Sequence, residues 1–498
     1  MTTIEIKNLT FGFDNQGENL FEAANLVLDT SWKLGLIGRN GRGKTTLLNL
    51  LQAKMPFQGT IQHQVDFTYF PQKVQDKEQM TYYVLQELND FEEWKLQREL
   101  NLLQLDPDIL WREFASLSGG EQTKVLLALL FVDEVNFPLI DEPTNHLDQA
   151  SRTQIAHYLK QKKQGFIVVS HDRQFVDEVV DHLLSIEKNQ LRLYQGNFSV
   201  YEEQKQLHDE YEQAQNEKLK KEIGRLQQTA KEKAAWSSSR EGDKTKKQTG
   251  FIDTDRRRTN KGAIGADAAR TMKRAKAIVG RMEQQATEKA KLLKDIEYID
   301  PLTMNFQPTH HQQLLKVENL QLKYEEALFA PISFEVMRGE RLAIQGKNGS
   351  GKSSIIQYLL GAFKGEMSGE ILRPKEVTIS YVRQNYEDNR GTLSEFAKEH
   401  HLAYEELLSN LFKLGVERKV FSNRIEDMSM GQRKRVELAK SLATPAELFI
   451  WDEPLNYLDV FNQDQLEAVI QAVKPTMILV EHDQHFLEKV ASKTIELS

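Results

Sequence analysis

Residues 34–46 read LGLIGRNGRGKTT, and residues 342–354 read LAIQGKNGSGKSS. A pattern written twice in one chain sets the architecture before any single element does. Each copy opens on a short apolar run, passes through glycines and ends where a helical pattern begins, LLNLLQ in the first and IIQYLL in the second. The spacing predicts a strand, a glycine loop and a helix, twice. Each copy also fits GxxxxGK[ST]: glycines let backbone amides approach phosphates, Lys44 or Lys352 reaches the outer phosphates, and Thr45 or Ser353 holds Mg²⁺.

The same further elements follow each loop in the same order. After the first come Gln72 in FTYFPQ, LSGGEQTK from Leu117, FPLIDEPTNHLD from Phe137 and VVSHD ending at Asp172. After the second come Gln384 in SYVRQ, MSMGQRKR from Met428, LFIWDEPLNYLD from Leu448 and LVEHD ending at Asp483. This ordered set resembles the ABC ATPases, and the resemblance covers both halves of the chain. It implies an α/β fold of two P-loop ABC ATPase domains in tandem.

An isolated Asp-Glu pair is most often a solvated helix start. After a buried-type strand in both repeats, the pair fits phosphoryl transfer, which needs a metal-holding carboxylate beside a water-orienting one. By resemblance, Asp141 and Asp452 join Thr45, Ser353, Gln72 and Gln384 around Mg²⁺, while Glu142 and Glu453 polarise the attacking water. His171 and His482, which would otherwise read as structural, resemble the switch histidine on the γ-phosphate. The two loops, Gly38, Asn40, Gly41, Gly43, Lys44, Thr45 and Thr46 in one and Gly346, Asn348, Gly349, Gly351, Lys352, Ser353 and Ser354 in the other, are the expected ATP cradles. Phe13 and Tyr324 stand where the family stacks a ring on adenine, with core packing beside Phe11 as the other reading for Phe13.

The signature stretch of the family acts across the domain pair. The resemblance implies that Lys44 works with Ser429, Gly431 and Gln432, and Lys352 with Ser118, Gly119, Gly120 and Glu121. The second signature departs from the pattern at Met428 and Met430, so the two sites are expected to be active but not equivalent.

Composition narrows the kind of twin ABC protein. The chain of 498 residues is 40% hydrophobic and 28% charged, as in soluble globular proteins. Its start, MTTIEIKNLTF, lacks the basic and apolar regions of a signal peptide. The longest apolar run, residues 125–132, falls far short of a membrane span. No cysteine is present, which removes disulfides and Cys-type metal centres and disfavours the DNA-repair and Fe–S types. The adjacent His310 and His311 read as a solvated loop. The SMC-like type splits one ATPase domain, which leaves a fused importer ATPase or the ribosome-acting ABC-F type.

What joins the halves separates these two. The expected partition is 1–203 for the first ATPase domain, 204–300 for a linker and 301–498 for the second. Within the linker, Leu219, Ile223, Leu226, Ala230 and Ala234, then Ala275, Val279, Met282 and Ala286, recur at helical spacings, which predicts a long α-helical hairpin. Its bend falls near 244–265, KTKKQTGFIDTDRRRTNKGAIG. Residues 215–295 hold 22 Lys and Arg against 11 Asp and Glu, a net of +11, while the rest of the chain has 43 against 62. A basic projection on an acidic body suits phosphate-backbone binding driven by counterion release.

The junction LYQGNFSVYEEQK and the stretches SREGDK, GAIGADAAR, YIDPLTM and DEPLNYLDVFN resemble the ABC-F family, in its Lsa-type antibiotic-resistance branch. Only 45 residues separate Gln72 from Ser118 and 44 separate Gln384 from Ser429, too few for a large arm insertion. The end of the chain 16 residues after His482 suits a type without a C-terminal extension.

The resemblance implies a cytoplasmic monomer whose two domains close on two ATP. Its partner would be the bacterial ribosome, reached through the exit-site region, with large-subunit rRNA and P-site tRNA as contacts and no membrane. The linker tip would then displace lincosamides, streptogramin A compounds or pleuromutilins from the peptidyl-transferase centre. A housekeeping ABC-F factor and an importer ATPase are the other readings. Lys246, Lys247, Phe251, Ile252, Arg256, Arg257 and Arg258 are the expected probe. Deleting residues 246–258 is expected to abolish resistance in a drug-sensitive host while ATPase activity of the purified chain persists; loss of both would make the tip a structural element.

Overall fold

The structure, a computed structural model, describes residues 2–13, 19–133, 135–145, 147–187, 190–242 (backbone alone over 233–242), scattered positions between 273 and 287, and 300–497. The tandem α/β reading of the repeat is borne out. Phe67–Phe70, Phe137–Asp141, Phe166–Val169, Lys33–Gly38 and His182–Glu187 form a parallel sheet in that order, with Gln190–Gln195 antiparallel at one edge. The second copy repeats it as Ile379–Val382, Leu448–Asp452, Met477–Val480, Arg341–Gly346 and Lys493–Leu497. Each parallel sheet is accompanied by a three-stranded antiparallel one, centred on Thr3–Phe11 in the first copy and Gln313–Lys323 in the second.

Near-continuous apolar strands explain the parallel sheets. FIVV and MILV are buried at every position, as is LFIWD, because strands covered on both faces have no solvent side to make polar. Register then does functional work: Asp141 lies opposite Val169 and Asp452 opposite Val480. Each carboxylate therefore ends its strand beside the strand that leads to His171 or His482, at the carboxyl edge where open α/β sheets bind ligands.

The chain divides into two compact units, Met1–Tyr201 with Ile299–Ser498, and Glu202–Tyr298. Most of the described part of the latter belongs to the helix Phe198–Gly242, 45 residues or about 68 Å at 1.5 Å per residue. Asn216, Leu219, Ile223, Leu226 and Ala230 are less exposed than their neighbours, as the helical spacing predicts. Val279 is likewise half-buried between exposed positions, and Met282 is half-buried after an exposed one. The expected tip, with Lys246, Lys247, Phe251, Ile252 and Arg256 to Arg258, lies outside the described residues.

The copies differ inside. Leu126 of the first signature helix, Gly119–Leu130, corresponds to Glu437 of the second, Met430–Ala443. Glu437 is fully buried and receives Arg383 at 3.1 Å, Lys440 at 2.5 Å and the Asn389 amide at 2.9 Å. Burial alone would raise its pKa, but Lys440 and Arg383 hold it down at about 2. Replacing Glu437 by the leucine of the first copy is therefore expected to destabilise the chain, by about 3 kcal/mol or more, because two cations lose their buried partner. The denaturant midpoint of Glu437→Leu checks this, and a midpoint equal to that of the unchanged chain would refute it.

Candidate functional site

Both glycine loops end on a glycine in the left-handed region, Gly43 at φ 94° and Gly351 at φ 90°, with no side chain capping the helix that follows. A Cβ there would lie 3.1 Å from the Phe21 ring or 2.9 Å from that of Phe329. Glycine is required, and the helix amides stay available to an anion. Lys44 is buried and donates to Gly38 O at 2.8 Å and Asn40 Oδ1 at 3.2 Å. Lys352 donates to Gly346 O and Lys347 O, both at 2.8 Å. Each ammonium is thus folded over its own loop at the place where phosphates would lie.

Thr45 Oγ1 donates to Asp141 Oδ2 at 2.8 Å, and Ser353 likewise hydrogen-bonds Asp452, whose pKa burial still raises to about 6. A hydroxyl and a carboxylate at the end of a buried strand are oxygen donors of the kind Mg²⁺ selects. Glu142 and Glu453, one residue on, both have positive φ, 53° and 47°, a conformation that bulky residues adopt only under constraint. Their amides donate to Val169 O and Val480 O, each at 2.9 Å, so the strain is held by the neighbouring strand. His171 Nε2 stands 3.2 Å from Glu142 Oε1, and His482 Nε2 stands 4.0 Å from Glu453 Oε1. Asn456 donates to the other oxygen of Glu453 at 2.7 Å.

Buried polar atoms without a hydrogen-bond partner are rare in proteins. Among the described residues seven side-chain atoms are of this kind: Thr68 Oγ1 and Tyr386 Oη are on residues with no expected role in the site, and the other five are Gln72 Oε1, Glu142 Oε1, Ser350 Oγ, Asp452 Oδ1 and His482 Nε2. All five belong to motifs of the two loops' surroundings. The donor set and its unmet valences fit a bound nucleoside triphosphate with Mg²⁺.

Two cavities hold part of this set; Lys44, Thr45, Gln72 and Asp141 are not in the walls of the first, nor Asp452 in those of the second. One, of about 530 Å³, brings Asn40, Gly41, Glu142 and His171 together with Ser429, Gly431 and Gln432 of the second copy. The other, of about 430 Å³, holds Asn348, Gly349, Lys352, Ser353, Ser354, Gln384, Glu453, His482 and Tyr324. Its walls from the first copy are Leu147 and Arg152, and Ser118, Gly119, Gly120 and Glu121 are not among them. Tyr324 is half exposed; Phe13 is 39% exposed, set edge-on to Phe11 at 5.2 Å, and neither cavity includes it.

The departures at Met428 and Met430 leave the second signature intact as a cap. Ser429 Oγ accepts from Gln432 N at 3.3 Å while Gln432 Oε1 accepts from Ser429 N at 3.0 Å, the same reciprocal box that Ser118 and Glu121 form. A Cβ at the equivalent Gly119 would meet nothing within 4 Å. A side chain at Met430 therefore fits without strain.

Sequence reasoning missed the groups that join the copies. Asp459 caps its own helix through Asn462 N at 2.9 Å and also accepts the amide of Asn40 at 2.7 Å. Tyr457 O receives the Asn40 side chain at 3.0 Å, and Arg435 stands 3.5 Å from Asp459. Asp148 repeats this in the other direction, capping its helix while accepting the amide of Asn348. The available signal was the aspartate that closes both NHLD and NYLD.

Residues 21–145 and 329–456 match the family model described as ABC transporter, about half of the chain, so the chain belongs to that family, with two copies of its ATP-hydrolysing domain. Its relatives lie in the F branch. The chain is 29% identical to the ribosome protection protein VmlR of Bacillus subtilis over 99% of its length and 87% of that protein. It is 28% identical to the erythromycin resistance ATP-binding protein MsrA of Staphylococcus epidermidis, over 99% and 98% of the two chains. ABC transporter F family member 5 of Arabidopsis thaliana is 26% identical over 81% of this chain and 55% of that one. The archaeal ribosome recycling factor aABCE1, solved with the stalk protein aP1, shares the fold at TM-score 0.61 and 18% identity, over 98% of this chain and 87% of that one. No described helix is long and apolar enough to cross a membrane.

Burial pushes Glu142 above its ordinary 4.5, against the pull of Lys44, and pushes His171 below its ordinary 6.5, with Lys44 adding to the effect. The folded state therefore binds the Glu142 proton more tightly than the unfolded chain and the His171 proton less tightly. Stability is expected to fall as pH rises above about 4.5 on account of Glu142, and as pH drops below about 6.5 on account of His171. Thermal midpoints of the nucleotide-free protein across pH 5–9 check this: Glu142→Gln should flatten the alkaline limb and His171→Gln the acid limb.

Proposed function

We propose that the chain is an ATP-driven ribosome-protection factor that binds two ATP with Mg²⁺ between its paired domains. The ribosomal part rests chiefly on one observation: the likeness to a ribosome protection protein runs over 99% of the chain, linker included. The segregated basic charge of residues 215–295 supports the same reading, since a cationic projection suits an RNA target. An importer ATPase has no use for such a projection.

In this reading Lys44 and Lys352 turn from their loop carbonyls to the outer phosphates. Thr45, Asp141 and Gln72, and Ser353, Asp452 and Gln384, hold Mg²⁺, which would supply neutralising charge to the transferring phosphoryl group. Glu142 and Glu453 orient water, and their unusual backbone angles aim the carboxylates into the cavities. His171 and His482, kept neutral by burial, can each donate or accept one hydrogen bond at the terminal phosphate. Ser429, Gly431 and Gln432 close the first site from the opposite domain. Ser118, Gly119, Gly120 and Glu121 would reach the second site on a further closure.

ATP binding then holds the closed, ribosome-competent state, and hydrolysis releases it. The linker tip displaces drug at the peptidyl-transferase centre, with lincosamides, streptogramin A compounds and pleuromutilins as the expected classes. Glu142→Gln with Glu453→Gln is expected to lower turnover at least a hundredfold and to make the protein co-sediment with ribosomes in ATP. Absence from the ribosomal pellet would sink the ribosomal reading. A drug-susceptibility panel that includes a macrolide separates protection from a housekeeping role: unchanged susceptibility with retained ribosome binding selects the latter.

A further inference from the structure

The loop after the catalytic strand and the loop that carries the switch histidine must keep a fixed spacing for Glu and His to serve one phosphate. In the first copy two hydroxyls bridge them. Thr144 Oγ1 and Ser170 Oγ lie 3.0 Å apart, both residues buried, and Ser170 Oγ also accepts the amide of Asp172 at 3.1 Å. The second copy has neither hydroxyl, because Thr144 corresponds to Leu455 in EPLN and Ser170 to Glu481 in LVEHD.

The buried carboxylate of Glu481 takes over. Its Oε2 accepts the amide of Leu455 at 3.2 Å, while Oε1 accepts that of His482 at 2.7 Å and that of Asp483 at 3.4 Å. Glu481 is 3% exposed, and an unpaired carboxyl group there would be costly. Three amides from two loops satisfy it, and Arg152 of the first domain adds a favourable charge. The bridge of the first site is thus replaced by one of different chemistry, and both halves of the replacement are present together. Leucine cannot offer a hydroxyl, and the longer Glu481 side chain reaches the leucine's backbone instead.

We infer that Glu481 is a positioning residue for the second ATP site, setting His482 relative to Glu453 as the Thr144–Ser170 pair sets His171 relative to Glu142. This rests on the reading of Glu453 as the group that orients water at that site. A residue that acts on alignment lowers kcat and leaves KM for ATP nearly unchanged, since the phosphate loop and Tyr324 are untouched.

The test uses the full chain with four variants: Glu481→Ala, Glu481→Ser, Leu455→Thr with Glu481→Ser, and Glu453→Gln as control. Glu481→Ala is expected to lower kcat twofold or more with KM within twofold. The double variant, which installs the hydroxyl pair of the first site, is expected to restore at least half of the loss, and Glu481→Ser alone to restore less. Rescue by the pair separates alignment from a loss of folded protein, and thermal midpoints are read beside it. The inference is overturned if Glu481→Ala keeps kcat within twofold, or if the double variant folds poorly or restores nothing. If Glu453→Gln itself leaves turnover unchanged, the reading of the second site fails instead.

Discussion

The amide of Asn40 donates to Asp459 at 2.7 Å across 419 residues of sequence. Asp459 is 2% exposed, caps its own helix and faces Arg435. A carboxylate in such a place is tolerated only when well partnered, and here one of its three partners, the Asn40 amide, comes from the other domain while Asn462 and Arg435 come from its own. The contact therefore does two things at once. It fixes the first phosphate loop against the second domain, and it places Ser429, Gly431 and Gln432 in the wall of the first cavity.

The two sites are built alike but finished differently. Each has a left-handed loop glycine, a folded-over lysine, a hydroxyl–carboxylate pair and a strained glutamate. Around these, the second copy replaces apolar or hydroxyl contacts by charge. Glu437 stands for Leu126 and binds Arg383, the residue before Gln384, so the loop that carries Gln384 is tied to the helix Met430–Ala443. Lys434 is buried and donates to Glu453 O at 2.8 Å, its pKa lowered by burial to about 8. Glu481 stands for Ser170. Hydrogen bonds are electrostatically stronger in such a dry setting, and the frame of the second site rests on charged contacts where the first uses neutral ones.

Asymmetry also shows in closure. The first cavity already has its signature wall, whereas the second is met from the first domain by Leu147 and Arg152 only. Both phosphate loops are tied to an aspartate of the opposite domain, Asn40 to Asp459 and Asn348 to Asp148, but a signature wall lines only the first of the two cavities.

Much of each site was legible because its chemistry is local. A strand, five loop residues and a helix start are contiguous, so glycine spacing and apolar runs specify them without help from distant chain. The capping role of Ser118 and Ser429 was equally open to reading, since the box closes within three residues. Phe13 shows the limit: a ring adjacent to Phe11 is placed by its neighbours, and the pairing left it outside both cavities. The exchange of Thr144 and Ser170 for Leu455 and Glu481 was visible as two separate differences. That they compensate one another required the fold, because the hydrogen bond between them spans 26 residues. The sequence by itself determined the repeat, the α/β class and the phosphate chemistry, which depend on neighbours along the chain. Only the tertiary structure decided which aspartate caps which loop and which carboxylate is buried, because those contacts form between residues whose spacing leaves no local pattern.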